Sequence, residues 1–89
     1  MHTIMYRIWV RPGREQQLKS VWKQQADMLR EMGAQSGWVV TYSGGECAAY
    51  LQWQQRQYWE NVRQYCSLMD EVARAMGDHM LGWLSEYPA

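Results

Sequence analysis

Three features of this 89-residue sequence predict an α+β fold in which a four-stranded antiparallel sheet carries two helices on one face. Short runs of β-branched and aromatic residues stand at the start, in the middle and near the end of the chain. Two long stretches between them repeat their apolar residues at three- and four-residue steps. Glycine or Pro-Gly punctuation falls where one period gives way to the other.

The first element, Thr3 to Val10 (TIMYRIWV), reads as a strand closed by a turn at Pro12-Gly13. Ile4, Tyr6, Ile8 and Val10 share one side; Met5, Arg7 and Trp9 share the other. Both sides are largely apolar, so the strand is expected at the centre of the sheet. From Arg14 to Met32, Leu18, Val21, Trp22, Ala26, Leu29 and Met32 form a helical stripe, and Gly33 is its stop. Gly37 to Ser43 (GWVVTYS) alternates Trp38, Val40 and Tyr42 against Val39, Thr41 and Ser43, and Gly44-Gly45 turns it into a third strand, CAAYLQW. Tyr58, Val62, Tyr65, Met69, Val72 and Met76 then recur at four, three, four, three and four residues, which predicts one long helix ending at Gly77. Met80 to Tyr87 is the candidate fourth strand, stopped by Pro88. Strand, helix, strand, strand, helix, strand is the order of the ferredoxin-like βαββαβ unit. It leaves one sheet face bare, and a second copy packing sheet to sheet would cover that face.

A chain of this length is expected to form a single domain over residues 1–89 with a small core. Two cysteines are too few for a disulfide framework, so extra stability is expected from a homodimer. Lys plus Arg equals Asp plus Glu at nine each, giving no electrostatic footprint for nucleic acid or an anionic membrane. The first residues lack a signal-peptide pattern and no apolar run reaches the roughly 18 residues of a membrane span, so a cytoplasmic protein is expected. Six Trp and six Tyr stand beside no Phe. Aromatics with a polar handle suit a wall that must also offer a hydrogen bond, although compositional bias gives the same count.

The segments YRIWVRPGREQQLKSVW and YLQWQQRQYWENV, with a Gly-bounded strand between them, resemble the dimeric α+β barrel superfamily, in particular its antibiotic biosynthesis monooxygenase-like branch. Trp53 stands at the place of that branch's strand-end tryptophan, and Trp59-Glu60 at its Trp-Glu helix start. The resemblance implies a dimeric α+β barrel and, as function, a cofactor-independent monooxygenase acting on a small aromatic or quinol-type substrate. The alternative is a non-catalytic dimer of the same fold that binds a small hydrophobic ligand or regulates. Many members carry a histidine shortly after the Trp-Glu pair, where this chain has Val62. The haem-degrading branch carries another further along, and the stretch around Val72 has none, which argues against haem ligation of that kind.

An oxygenase without metal or flavin must stabilise a substrate anion and exclude water. Indole N–H, amide and phenol groups suit that task. The candidate catalytic residues are Asn61, Trp53 and Trp59; the candidate substrate-binding residues are Tyr50, Tyr6, Trp38 and Arg63, with Arg7 a second possible charge partner. Each has a plainer reading. Asn61 also reads as a solvated helix amide, Trp53, Trp59, Tyr58, Tyr6 and Trp38 also read as core, and Trp22 packs on the first helix's stripe. Met5 and Trp9 are assigned to the dimer face.

No metal site is expected. His2 and His79 would lie at opposite ends of an antiparallel pair, on the order of 25 Å apart at about 3.3 Å per residue. Cys47 and Cys66 are expected as small buried hydrophobes without a histidine partner. YSGGE lacks the lysine of a phosphate loop and reads as a turn. RPGRE, with Arg11 and Arg14, is read as a solvated turn before the first helix, with anion binding the alternative.

Overall fold

A computed structural model describes residues 1–86. The strands are β1 (His2–Val10), β2 (Ala34–Thr41), β3 (Glu46–Trp53) and β4 (Met80–Glu86); the helices are α1 (Glu15–Met28), α2 (Arg56–Tyr65) and α3 (Leu68–Met76). They form one antiparallel sheet in the order β2-β3-β1-β4. The central place of β1 follows from its two apolar faces. The fourth strand is present; Tyr87 and Pro88, expected at its end, lie outside the described residues.

Register decides which side chains meet. β1 pairs with β3 from His2 opposite Trp53 to Trp9 opposite Glu46. Ile4, Tyr6, Ile8 and Val10 therefore share the helix-covered face with Cys47, Ala49, Leu51 and Trp53, all of them buried. Leu18, Val21, Trp22 and Ala26 of α1 and Met69, Val72 and Met76 of α3 close the core over them. Trp22 also donates its indole N–H to the Tyr50 carbonyl at 2.8 Å, which fixes α1 against β3. The opposite face bears Met5, Arg7 and Trp9 of β1, Tyr50 of β3, Trp38 and Val40 of β2 and Leu84 of β4. No described element covers it.

The helices differ from expectation in two ways, and one strand in a third. The α-helical part of the first ends at Met28, and a 3₁₀ turn, Leu29–Met32, completes the path to Gly33, which takes the left-handed conformation at φ 105°. The second strand begins at Ala34, earlier than Gly37. The long second helix is two helices: Cys66 and Ser67 are extended, the Cys66 N–H closes α2 on the Val62 carbonyl, and Ser67 Oγ accepts the Asp70 N–H at 3.3 Å to cap α3. A serine followed three residues later by an acidic residue is a helix-start signal, and here it outweighs the running apolar period. The break changes phase, so that Trp59 and Leu68 turn inward, Tyr65 is 87% exposed and Cys66 is exposed instead of buried.

Replacing Ser67 by Ala is expected to lower stability by about 1 kcal/mol through loss of the cap. For a chain of this size that is a fall of about 4–8 °C in the thermal midpoint, measurable by circular dichroism; an unchanged midpoint would mean that packing alone holds the break. No helix among the described residues is long and apolar enough to cross a membrane.

Candidate functional site

The break between α2 and α3 opens a cavity of about 270 Å³ between these helices and the sheet. Tyr6 of β1, Trp53 of β3 and Trp83 and Ser85 of β4 come from the sheet side. Trp59, Val62 and Arg63 of α2, Cys66 and Ser67 of the link, and Leu68 and Met69 of α3 form the opposing wall, with Leu29 at the end of the first helix. Because α2 begins three residues after β3 ends, Trp53 and Trp59 are brought to one place by chain geometry.

The walls are mostly aromatic. Tyr6 meets Trp22 edge-on at 5.6 Å between ring centroids and Trp83 at 6.5 Å. Trp59 touches His2, with centroids 5.4 Å apart, and carries the Arg63 guanidinium over its ring at 4.8 Å. Trp53 is 1% exposed, and its indole N–H has no hydrogen-bond partner among the described residues. A buried donor in that condition costs about 1–3 kcal/mol, so it is a strong point of attachment for any acceptor that reaches it. Arg63 is the only charged side chain that lines the cavity among the described residues.

Of the seven candidates, the structure brings together Tyr6, Trp53, Trp59 and Arg63. Three lie elsewhere, which corrects the expectation of a shared cleft. Asn61 accepts a hydrogen bond from Gln57 at 3.0 Å on the exposed side of α2, beside an adjoining surface hollow with Met32, Tyr58 and Tyr65 that shares Val62 and Cys66 with the cavity. Tyr50 and Trp38 stack on each other, 5.3 Å apart and 11° from parallel, on the far face of the sheet. Arg7 is on that face too.

Trp83, Ser85 and Ser67 were not anticipated in the lining, nor was His2, which touches Trp59 without lining the cavity. Trp83 and Ser85 stand opposite Ile8 and Tyr6, a placement that requires the β1–β4 register. Ser67 was legible as a capping serine. His2 faces Trp53 across the sheet, one residue before the expected start of the strand. No three metal-ligating side chains cluster among the described residues. Cys47 is fully buried; burial, and then the Glu15 carboxylate, push its thiol above the ordinary range, so it stays a protonated, inert core residue. The RPGRE turn is tied down at both ends: Arg11 donates to the Asp78 carbonyl far along the chain, and Glu15 accepts the Gly13 N–H.

No family model matches the chain, and no curated protein matches it. Solved structures do. A Nitrosomonas europaea protein named as a candidate antibiotic biosynthesis monooxygenase superposes with a TM-score of 0.68 at 10% identity, over 96% of this chain and 85% of that one. A second structure named as an antibiotic biosynthesis monooxygenase gives 0.61 at 7% identity, over 100% and 99%. An anthrone oxidase-like protein gives 0.69 at 18% identity, over 94% of this chain and 41% of its own length. The likeness is one of fold: this is an α+β chain with the antibiotic biosynthesis monooxygenase-like, ferredoxin-like architecture.

Proposed function

We propose that the cavity binds a small aromatic or quinol-type molecule and that the protein oxidises it with dioxygen, acting without a tightly bound cofactor as a sheet-to-sheet homodimer. The observation that carries this reading is an aromatic cavity that holds one unpartnered indole N–H, on Trp53, and one guanidinium, on Arg63. An anthrone-type substrate that has lost a ring CH₂ proton to bulk solvent before it binds enters as an oxyanion delocalised into the ring system. Trp53 N–H and Arg63 stabilise that anion, and the aromatic walls keep bulk water from the reacting carbon. Dioxygen adds to the carbon, and loss of water converts CH₂ to C=O, so one oxygen atom enters the substrate and the other leaves as water. The substrate supplies all four electrons that reduce dioxygen, so no external reductant is needed.

A second reading, ligand binding without turnover, is favoured by the lining itself, which includes no carboxylate or imidazole to act as base among the described residues. Oxygen uptake with anthrone, followed together with binding, separates the two. Uptake well above the buffer rate is expected, with a loss of about tenfold or more in Ser85→Trp, which fills the mouth from an exposed position on β4. Saturable binding without uptake would establish the binding module, and neither result would leave the aromatics as packing.

A further inference from the structure

We propose that the cavity selects a small aromatic carboxylate, with Arg63 as its charge partner. The proposal rests on the reading of the cavity as a ligand site and adds the charge of the ligand.

Arg63 is unlike its neighbours. Arg30, Arg56 and Arg74 each pair with a carboxylate three or four residues away on the same helical segment, at 2.9–3.3 Å. At the same spacings from Arg63 stand Trp59, Glu60, Cys66 and Ser67. Glu60 is already held by Arg56 at 2.9 Å, and no ion pair to Arg63 is present among the described residues. The guanidinium is drawn instead over Trp59, at the edge of a cavity with no other charge among the described residues. A guanidinium held over a ring keeps its N–H donors for an oxyanion, and its fork matches the two oxygens of a carboxylate.

Charge state favours a carboxylate over a phenol. Phenols ionise near pH 10 and carboxylic acids near pH 4, so only the acid arrives as an anion at neutral pH. The volume of about 270 Å³ lies just below the range of about 300–1,000 Å³ usual for small-molecule sites, which suits a small aromatic ligand. Trp53, Trp59 and Trp83 offer ring faces and edges, and the unpartnered Trp53 N–H suits a ring hydroxyl or carbonyl on the same ligand.

The test is calorimetric titration at pH 7.5 with 2-naphthoate and with 2-naphthalenemethanol, which share a ring system and differ in charge. The wild-type protein is expected to bind the carboxylate about tenfold or more tightly than the alcohol. In Arg63→Gln that ratio should fall to about one through weaker carboxylate binding, with the alcohol almost unaffected, and Arg63→Lys should keep part of the preference. Arg63 is exposed, so neither substitution disturbs the core. Equal affinities in the wild type, or a preference that survives in Arg63→Gln, would overturn the charge assignment and leave the ligand site standing. Failure of both probes to bind at millimolar concentration would overturn the ligand site as well.

Discussion

Trp9→Glu is expected to convert the proposed dimer into monomer or aggregate on a sizing column. Trp9 lies on the central strand, on the face that no described element covers, amid Met5, Leu84, Val40 and the stacked Trp38–Tyr50 pair. Trp38 is 42% and Leu84 54% exposed, and a continuous apolar sheet face of this kind is a surface that soluble proteins bury against a partner. A carboxylate there would enter the interface with Glu46 as its cross-strand neighbour, so two like charges would face each other directly, while Arg7 two residues along the same face offsets only part of the cost. An uncompensated buried charge costs about 3–5 kcal/mol, or roughly two to four orders of magnitude in dimer affinity, which is the upper limit here. Light scattering on the eluting peak, with circular dichroism to establish that the strands persist, reads the outcome. An unchanged dimer would refute the assignment of this face.

A comparably large effect is expected from Gly45→Ala, this time on stability. Gly45 sits at φ 84° in the β2–β3 turn, and a Cβ there would collide with the carbonyl oxygen of Val10 at the end of β1. Backbone cannot swing aside as a flexible side chain can. The left-handed conformation alone costs a non-glycine residue about 1–3 kcal/mol, and displacing Val10 adds to it, so a total of about 2–4 kcal/mol is expected. Against a stability of about 5–15 kcal/mol this lowers the thermal midpoint by roughly 10–25 °C. Gly44→Ala is the control, because Gly44 also has positive φ, at 70°, but open space around its Cβ position. If both variants fall equally, the contact with Val10 is not the cause.

The two tryptophans of YLQWQQRQYWENV meet at the cavity, and their meeting was legible: a strand end and the helix start six residues later must share a side if both are apolar. The misplaced candidates yield to the same arithmetic. Asn61 follows Trp59 by two residues, which is about 200° around a helix and therefore away from the cavity. Tyr50 precedes Trp53 by three, an odd step that sends it to the other side of the strand, where Trp38 joins it. Cys66 and Tyr65 were misread for another reason. An unbroken apolar period hid a local capping signal, and once Ser67 starts a new helix the phase no longer carries across.

The sequence by itself determined the alternation of strands and helical segments, the central place of the first strand and the bare face of the sheet, because these depend on local periodicity and turn chemistry. Tertiary structure alone decided that Trp83 and Ser85 join the site and that His2 lies against Trp59, because strand register couples residues far apart in the chain. It also decided that Arg63 is drawn onto Trp59 instead of pairing with Glu60. Glu60 had a partner one turn earlier in Arg56, and that competition is settled only when the side chains share one surface.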